Sequence, residues 1–131
     1  MTASGIPEAE ALQGLRVLVV EDETLVAMLI EEYLVEFGCS VACSARRVSK
    51  GLQSLEDLKI DAAVLDVNVA GESVSPIAEV LDERNIPFIF ASGYGARGVE
   101  PRWTGRPVLQ KPFSARELRS ALLACLPGEG R

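Results

Sequence analysis

The apolar positions of the chain fall into short unbroken runs separated by segments with a helical period. Leu15 to Val20 is nearly all apolar and rich in β-branched residues, the pattern of a strand buried on both faces. From about Glu23 to Phe37 the period changes: Val26, Ile30, Tyr33 and Phe37 mark one helical stripe, and Gly38 stands where a C-terminal cap is expected. The alternation then repeats. Ser40 to Ser44 reads as a strand, Val48 to Leu58 as a helix and Asp61 to Asp66 as a buried strand, and Val74, Ile77, Ala78 and Leu81 form the inner stripe of a third helix. Ile86 to Ala91 and Val108 to Gln110 are further strand-like runs. The last helix, Ser114 to Leu126, opens on a capping box, Ser114 with Glu117 three residues later, and presents Leu118, Ala121, Leu122 and Cys125 on its apolar face.

Five strands alternating with helices predict an α/β fold, a doubly wound five-stranded parallel sheet with helices on both faces, because right-handed crossovers permit little else. The fourth crossover differs. Between Gly93 and Arg106 it holds Gly93, Gly95, Gly98, Pro101 and Gly105, so the fourth helix is expected to be short or irregular. The expected boundaries are an N-terminal tail over 1–14, one domain over 15–126 and a C-terminal tail over 127–131. Ligands of such sheets bind outside the carboxyl ends of the strands.

The residues at those ends carry the chemistry. Glu21 and Asp22 follow the first strand, Asp66 ends the third, Ser92 the fourth and Lys111 the fifth. Polar residues are common at strand ends, which accounts for any one of these but not for three acids, a hydroxyl and an amine together. Clustered carboxylates repel unless a cation neutralises them. Hard oxygen donors with one or two direct carboxylates suit Mg²⁺, which holds its ligands at roughly 2.0 to 2.1 Å. A carboxylate beside Mg²⁺ can act as nucleophile toward a phosphoryl group, so Asp66 is the candidate nucleophile, with Lys111 and Ser92 donating to phosphoryl oxygens.

Composition narrows the field. The 131 residues suffice for one domain, and 48% apolar with 24% charged residues is a globular balance. Thirteen Lys and Arg against 19 Asp and Glu leave a formal charge of −6, so neither direct DNA binding nor a membrane surface is expected. The chain has no histidine, which excludes His-based metal sites and a phosphohistidine of its own. The three cysteines, Cys39, Cys43 and Cys125, form no Cys-x-x-Cys pair and read as buried thiols, with Cys39, Val41 and Cys43 alternating on one strand face. Met1 to Gly14 carries no basic residue and no run approaches a membrane span, so the expected location is cytoplasmic.

This ordered set resembles the response regulator receiver domains of two-component signalling. The features that carry it are Glu21-Asp22, Asp66, Ser92 followed by Gly93, and Lys111-Pro112-Phe113, spread over about Leu15 to Leu126. The resemblance implies the flavodoxin-like strand order 2-1-3-4-5. It implies a phosphoryl group passed from a partner's phosphohistidine, on a sensor histidine kinase or a histidine phosphotransferase, to Asp66. It also implies Mg²⁺ held by Asp22, Asp66 and the backbone carbonyl of Asn68 with help from Glu21, and a cis peptide before Pro112. Such a protein catalyses only its own phosphorylation and dephosphorylation and is not otherwise an enzyme. Its output goes to a separate downstream protein, by phosphorylation-dependent binding or by passing phosphate on as a sink or shuttle.

Two features depart from the common pattern. The family's switch aromatic, three positions before the lysine, is Val108 here. Pro87 to Gly95, Pro-Phe-Ile-Phe-Ala-Ser-Gly-Tyr-Gly, is similar instead to atypical stand-alone receivers with a Phe-Ala-Thr/Ser-Gly-Tyr motif. There Tyr94 either takes over part of the switch with Ser92 or is an ordinary loop aromatic. Two new hydrogen bonds to a charged group, at roughly 1.5 to 3 kcal/mol each, approach the roughly 5.5 kcal/mol that inverts a 1:99 equilibrium. Asn68 and Tyr94 stand where they would tune the lifetime of the acyl phosphate. Arg97, Arg102, Trp103 and Arg106 form either a partner-docking surface or a solvated basic loop with Trp103 folded inward. An aspartyl-nucleophile phosphotransferase would need a second carboxylate at the place of Asn68, and a flavodoxin-like cofactor protein would set its phosphate against Glu21-Asp22.

Overall fold

A computed structural model of the chain describes residues 8–127. In chain order the elements are α1 (Glu8–Leu12), β1 (Arg16–Val20), α2 (Thr24–Glu36), β2 (Ser40–Ala45), α3 (Val48–Asp57), β3 (Ala62–Asp66), β4 (Asn68–Val69), β5 (Glu72–Ser73), α4 (Ser75–Glu83), β6 (Phe88–Ser92), β7 (Val108–Gln110) and α5 (Ala115–Cys125). Two 3₁₀ turns, Gly95–Gly98 and Pro101–Trp103, fill the crossover from β6 to β7 in place of a regular helix. The main sheet runs β2-β1-β3-β6-β7 with every pair parallel, which is the 2-1-3-4-5 order of its five strands.

Strand parity sorts the core into two layers. Leu18, Val20, Ala63, Leu65, Phe88 and Phe90 face α3 and α4, where they meet Val48, Leu55, Ile77, Leu81 and Trp103. Val17, Val19, Val64, Ile89 and Ala91 face α2 and α5 and meet Ile30, Leu34, Leu118 and Leu122. The capping box of α5 is present in full, Glu117 N–H on Ser114 Oγ at 3.1 Å and Ser114 N–H on Glu117 Oε1 at 2.8 Å.

Three expectations change. The stretch assigned to an N-terminal tail contains α1, and its Leu12 is fully buried in the second core layer, so the packed structure begins ahead of Leu15. One apolar residue anchors that helix, too little for a periodic signal. Of the expected tails, 1–7 and 128–131 lie outside the described residues. Cys43 does not share a face with Cys39 and Val41. Val17 pairs with Val41 but Leu18 pairs with Cys43, so Ala42 is an extra residue in β2 and turns Cys43 to the first layer. The third is the antiparallel hairpin β4–β5, which the sequence reading omitted. Ala70 and Gly71 form its tip with φ of 52° and 86°, the left-handed pair that a two-residue turn demands.

All three cysteines are free thiols. Burial pushes Cys39 up to about 11 from an ordinary 9.0; burial does the same for Cys125, offset in part by Arg106. Thiols whose folded pKa lies above the unfolded value lend stability that is complete below the unfolded pKa and lost as pH rises through the folded one. Urea midpoints should therefore fall across roughly pH 9 to 11, and fall less in Cys39→Ala/Cys125→Ala. Equal slopes in the two proteins would refute this account.

Candidate functional site

The carboxyl ends of β1, β3 and β7 bring Glu21, Asp22, Asp66 and Lys111 together. Carboxylate oxygens of Glu21, Asp22 and Asp66 all lie within 4.8 Å of one another. Lys111 Nζ is 2.7 Å from Glu21 Oε1 and 3.2 Å from Asp66 Oδ2, with Glu23 Oε1 farther off at 3.9 Å. Its peptide bond to Pro112 is cis. Glu21 is 1% exposed and Asp66 8%, whereas Asp22 is open to solvent.

Backbone donors fix the acids. Glu23 N–H donates to Glu21 Oε2 at 3.1 Å and Asn68 N–H to Asp66 Oδ1 at 3.4 Å. The hairpin tip reaches across the site, where Ala70 N–H donates to Asp22 Oδ2 at 3.0 Å. Burial raises the Glu21 carboxyl above its usual range, and the Lys111 hydrogen bond counters only part of that. Burial alone would lower Lys111, but its bond to Glu21 and the charge of Asp66 outweigh this and raise it.

Three acids around one half-buried ammonium leave a negative excess in a partly desolvated pocket. The donor set is all oxygen: the outward Asp22 carboxylate with those of Glu21 and Asp66. These residues fit a hard divalent cation such as Mg²⁺. Glu21 has one oxygen on Lys111 and the other on Glu23 N–H.

Ser92 ends β6 fully buried, and its Oγ accepts from Tyr94 N–H at 3.0 Å. Tyr94 itself is 74% exposed. Arg97 is exposed on the first 3₁₀ turn. The remaining members of the proposed docking set are engaged within the chain. Trp103 is buried, with its ring 5.7 Å from Phe88 and 6.3 Å from Phe90 by centroid, so the inward alternative is the one the fold adopts. Arg102 pairs with Glu79 at 2.7 Å and Glu100 at 3.3 Å, and Arg106 pairs with Asp82 while lying over the Phe88 ring. Trp103 therefore cannot be a docking residue in this structure, because leaving the core would expose two aromatic neighbours. Reading the sequence also missed Ala70, whose amide serves Asp22, and Glu100, which accepts from Ser75 Oγ. Gly71, with the left-handed φ that a tight two-residue turn needs, is the one signal of the hairpin in the sequence.

A parallel, doubly wound sheet thus carries an acidic pocket and a lysine at its carboxyl edge. Residues 17–123 match the response regulator receiver domain, and the chain belongs to that family, a signalling rather than a metabolic one. Transcriptional regulatory protein PdtaR of Mycobacterium tuberculosis is 27% identical over 119 residues, covering 88% of this chain and 58% of that protein, so the chain spans less than two thirds of that relative's length. The solution structure of SdrG from Sphingomonas melonis Fr1 is 43% identical with a TM-score of 0.79, covering 87% of this chain and 98% of that one. A BeF3-activated conformation of SdrG, from Pseudomonas melonis Fr1, gives 0.74 over 86% and 96%. The PhyR receiver domain of Erythrobacter litoralis has a TM-score of 0.80 over 92% and 96% at 22% identity, a likeness of fold alone. Among the described residues no helix is long and apolar enough to cross a membrane.

Proposed function

We propose that this receiver accepts one phosphoryl group on Asp66 from a phosphohistidine of a sensor histidine kinase or histidine phosphotransferase, and that the phosphorylated form is read by a separate protein. The observation that carries the proposal is Lys111 Nζ, 3.2 Å from Asp66 Oδ2 inside a three-carboxylate pocket. The existence of a BeF3-activated form of SdrG, 43% identical, is consistent with it.

In the reaction an Asp66 carboxylate oxygen attacks phosphorus, the P–N bond to the donor imidazole breaks, and the imidazole leaves with the bond's electron pair. An acyl phosphate remains. Asn68 N–H orients the Asp66 carboxylate, and Lys111 Nζ exchanges its contact with Asp66 for one with a phosphoryl oxygen. Asp22, Asp66 and the Asn68 carbonyl, with Glu21 beside them, would hold Mg²⁺, whose charge would neutralise that of the transferring oxygens. The Ser92 hydroxyl donates to a second oxygen once released from Tyr94 N–H. Tyr94 and Asn68, both exposed beside the site, set how readily water reaches the acyl phosphate. Exposed Arg97 is the member of the basic loop left for a partner.

Acetyl phosphate with Mg²⁺ should add a single phosphoryl group by intact-mass spectrometry, and a chelator should prevent it. Labelling that is indifferent to the chelator would remove the metal from the proposal. Pull-downs with and without phosphorylation would then separate a binding switch, which retains its target, from a sink or shuttle, which loses its phosphate without a stable complex.

A further inference from the structure

The Ser92 hydroxyl is enclosed in a way the reaction just described does not require. It is fully buried, accepts from Tyr94 N–H, and among the described residues has no hydrogen bond to Asp66. Gly98 covers it from the other side. A β-carbon placed on Gly98 would lie 2.2 Å from Ser92 Oγ and 3.3 Å from Ser92 Cβ, far inside contact distance. Gly98, unlike Gly95 in the same turn, has no positive φ, so its lack of a side chain answers the close approach and not the backbone conformation.

The turn that carries Gly98 is tied down by the segment after it. Glu100 accepts from Ser75 Oγ and, at 3.4 Å, from Ser73 Oγ; Arg102 holds Glu79 at 2.7 Å; Arg106 holds Asp82. Ser75, Glu79 and Asp82 are spaced four and three residues apart, which puts them along one face of α4. Trp103 Nε1 donates to the same Ser75 Oγ at 3.3 Å. A pocket of about 290 Å³ opens beside the segment, lined by Val74, Phe90, Val99 and Trp103 and by the tie residues Ser75 and Glu100.

We infer that Gly98 is a positioning residue: it seats the Ser92 hydroxyl against Tyr94 N–H, so that Ser92 reaches a phosphoryl group only when the Gly95–Gly98 turn gives way, and Glu100 sets how firmly that turn is held. The inference rests on the reading of Asp66 as acceptor. A seated hydroxyl means that only a fraction of molecules is ready for the phosphoryl group, and unseating it removes that penalty.

Gly98→Ala tests this. The added methyl either rotates Ser92 or lifts the turn, and each releases the hydroxyl. NMR on the unphosphorylated variant should show a changed Ser92 χ1 coupling and faster exchange of the Tyr94 amide. Its initial labelling by acetyl phosphate with Mg²⁺ should rise about threefold, and Gly98→Ala should have no effect in a Ser92→Ala background. An unchanged χ1 together with an unchanged Tyr94 amide would overturn the inference, as would an equal rise in the Ser92→Ala background. Should Gly98→Ala not fold, Glu100→Gln slackens the same tie without adding bulk; a smaller rise that again needs Ser92 supports the inference and no rise overturns it. Absence of label on the unaltered protein would count against the Asp66 reading, and the NMR comparison would still decide the role of Gly98.

Discussion

Asp66→Asn is expected to abolish phosphoryl labelling by acetyl phosphate or a cognate kinase while leaving the fold intact. The amide keeps the size of the side chain and can still accept from Asn68 N–H, but its oxygen is a poor nucleophile and forms no acyl phosphate. Nucleophilic displacement has no alternative nearby, since Glu21 has one oxygen on Lys111 and the other on a backbone amide, and Asp22 is held by Ala70 N–H. Intact-mass spectra of the two proteins under the same Mg²⁺ and phosphodonor conditions provide the check. Residual label in Asp66→Asn that maps to Asp22 would show that the acceptor has been misassigned.

Lys111→Met is expected to have the largest effect on stability of any change at the site. The Lys111 side chain is 16% exposed and that of its partner Glu21 only 1%, so removing the ammonium strands a carboxylate that water cannot reach. Breaking a buried pair in this way costs about 3–5 kcal/mol, most of it the penalty of the unpaired charge left behind. The double variant Glu21→Gln/Lys111→Met removes the more deeply buried of the two carboxylates that Lys111 neutralises and should recover part of the loss, Asp66 still lacking its ammonium. Urea unfolding of the two single variants and the double variant closes the cycle. If Lys111→Met is equally unstable with glutamine at position 21, the loss arises from packing and not from the stranded charge.

The legible part of this protein was the part in which one residue type has one physical use. Continuous runs such as Asp61 to Asp66 can be buried on both faces only in a central strand, and charged residues at the ends of such runs, Glu21, Asp22, Asp66 and Lys111, must meet at one edge once the crossovers share a hand. The acidic cluster follows from topology as much as from motif. What escaped was set by single residues or by space. The inserted Ala42 reverses the facing of Cys43, and a period-two pattern cannot register one extra residue. Trp103 among arginines reads equally well as a docking anchor or as core, until Phe88 and Phe90 are seen to present their rings to it. Gly98 was noticed only as a helix breaker; its close approach to Ser92 depends on a contact six residues away through a folded turn.

The ties along α4 have a consequence for the environment in which the protein works. A helix in the β6–β7 crossover would move as one rod, held by apolar burial that added electrolyte does not weaken. Here the segment is anchored by buried Trp103 and steadied along α4 by charge pairs, Glu79 with Arg102 and Asp82 with Arg106, and the attraction between exposed charges fades as the screening distance shrinks to about 8 Å at physiological ionic strength and about 3 Å in molar salt. Its resting position should drift with the saltiness of the medium, and Trp103 emission is a built-in gauge of that drift.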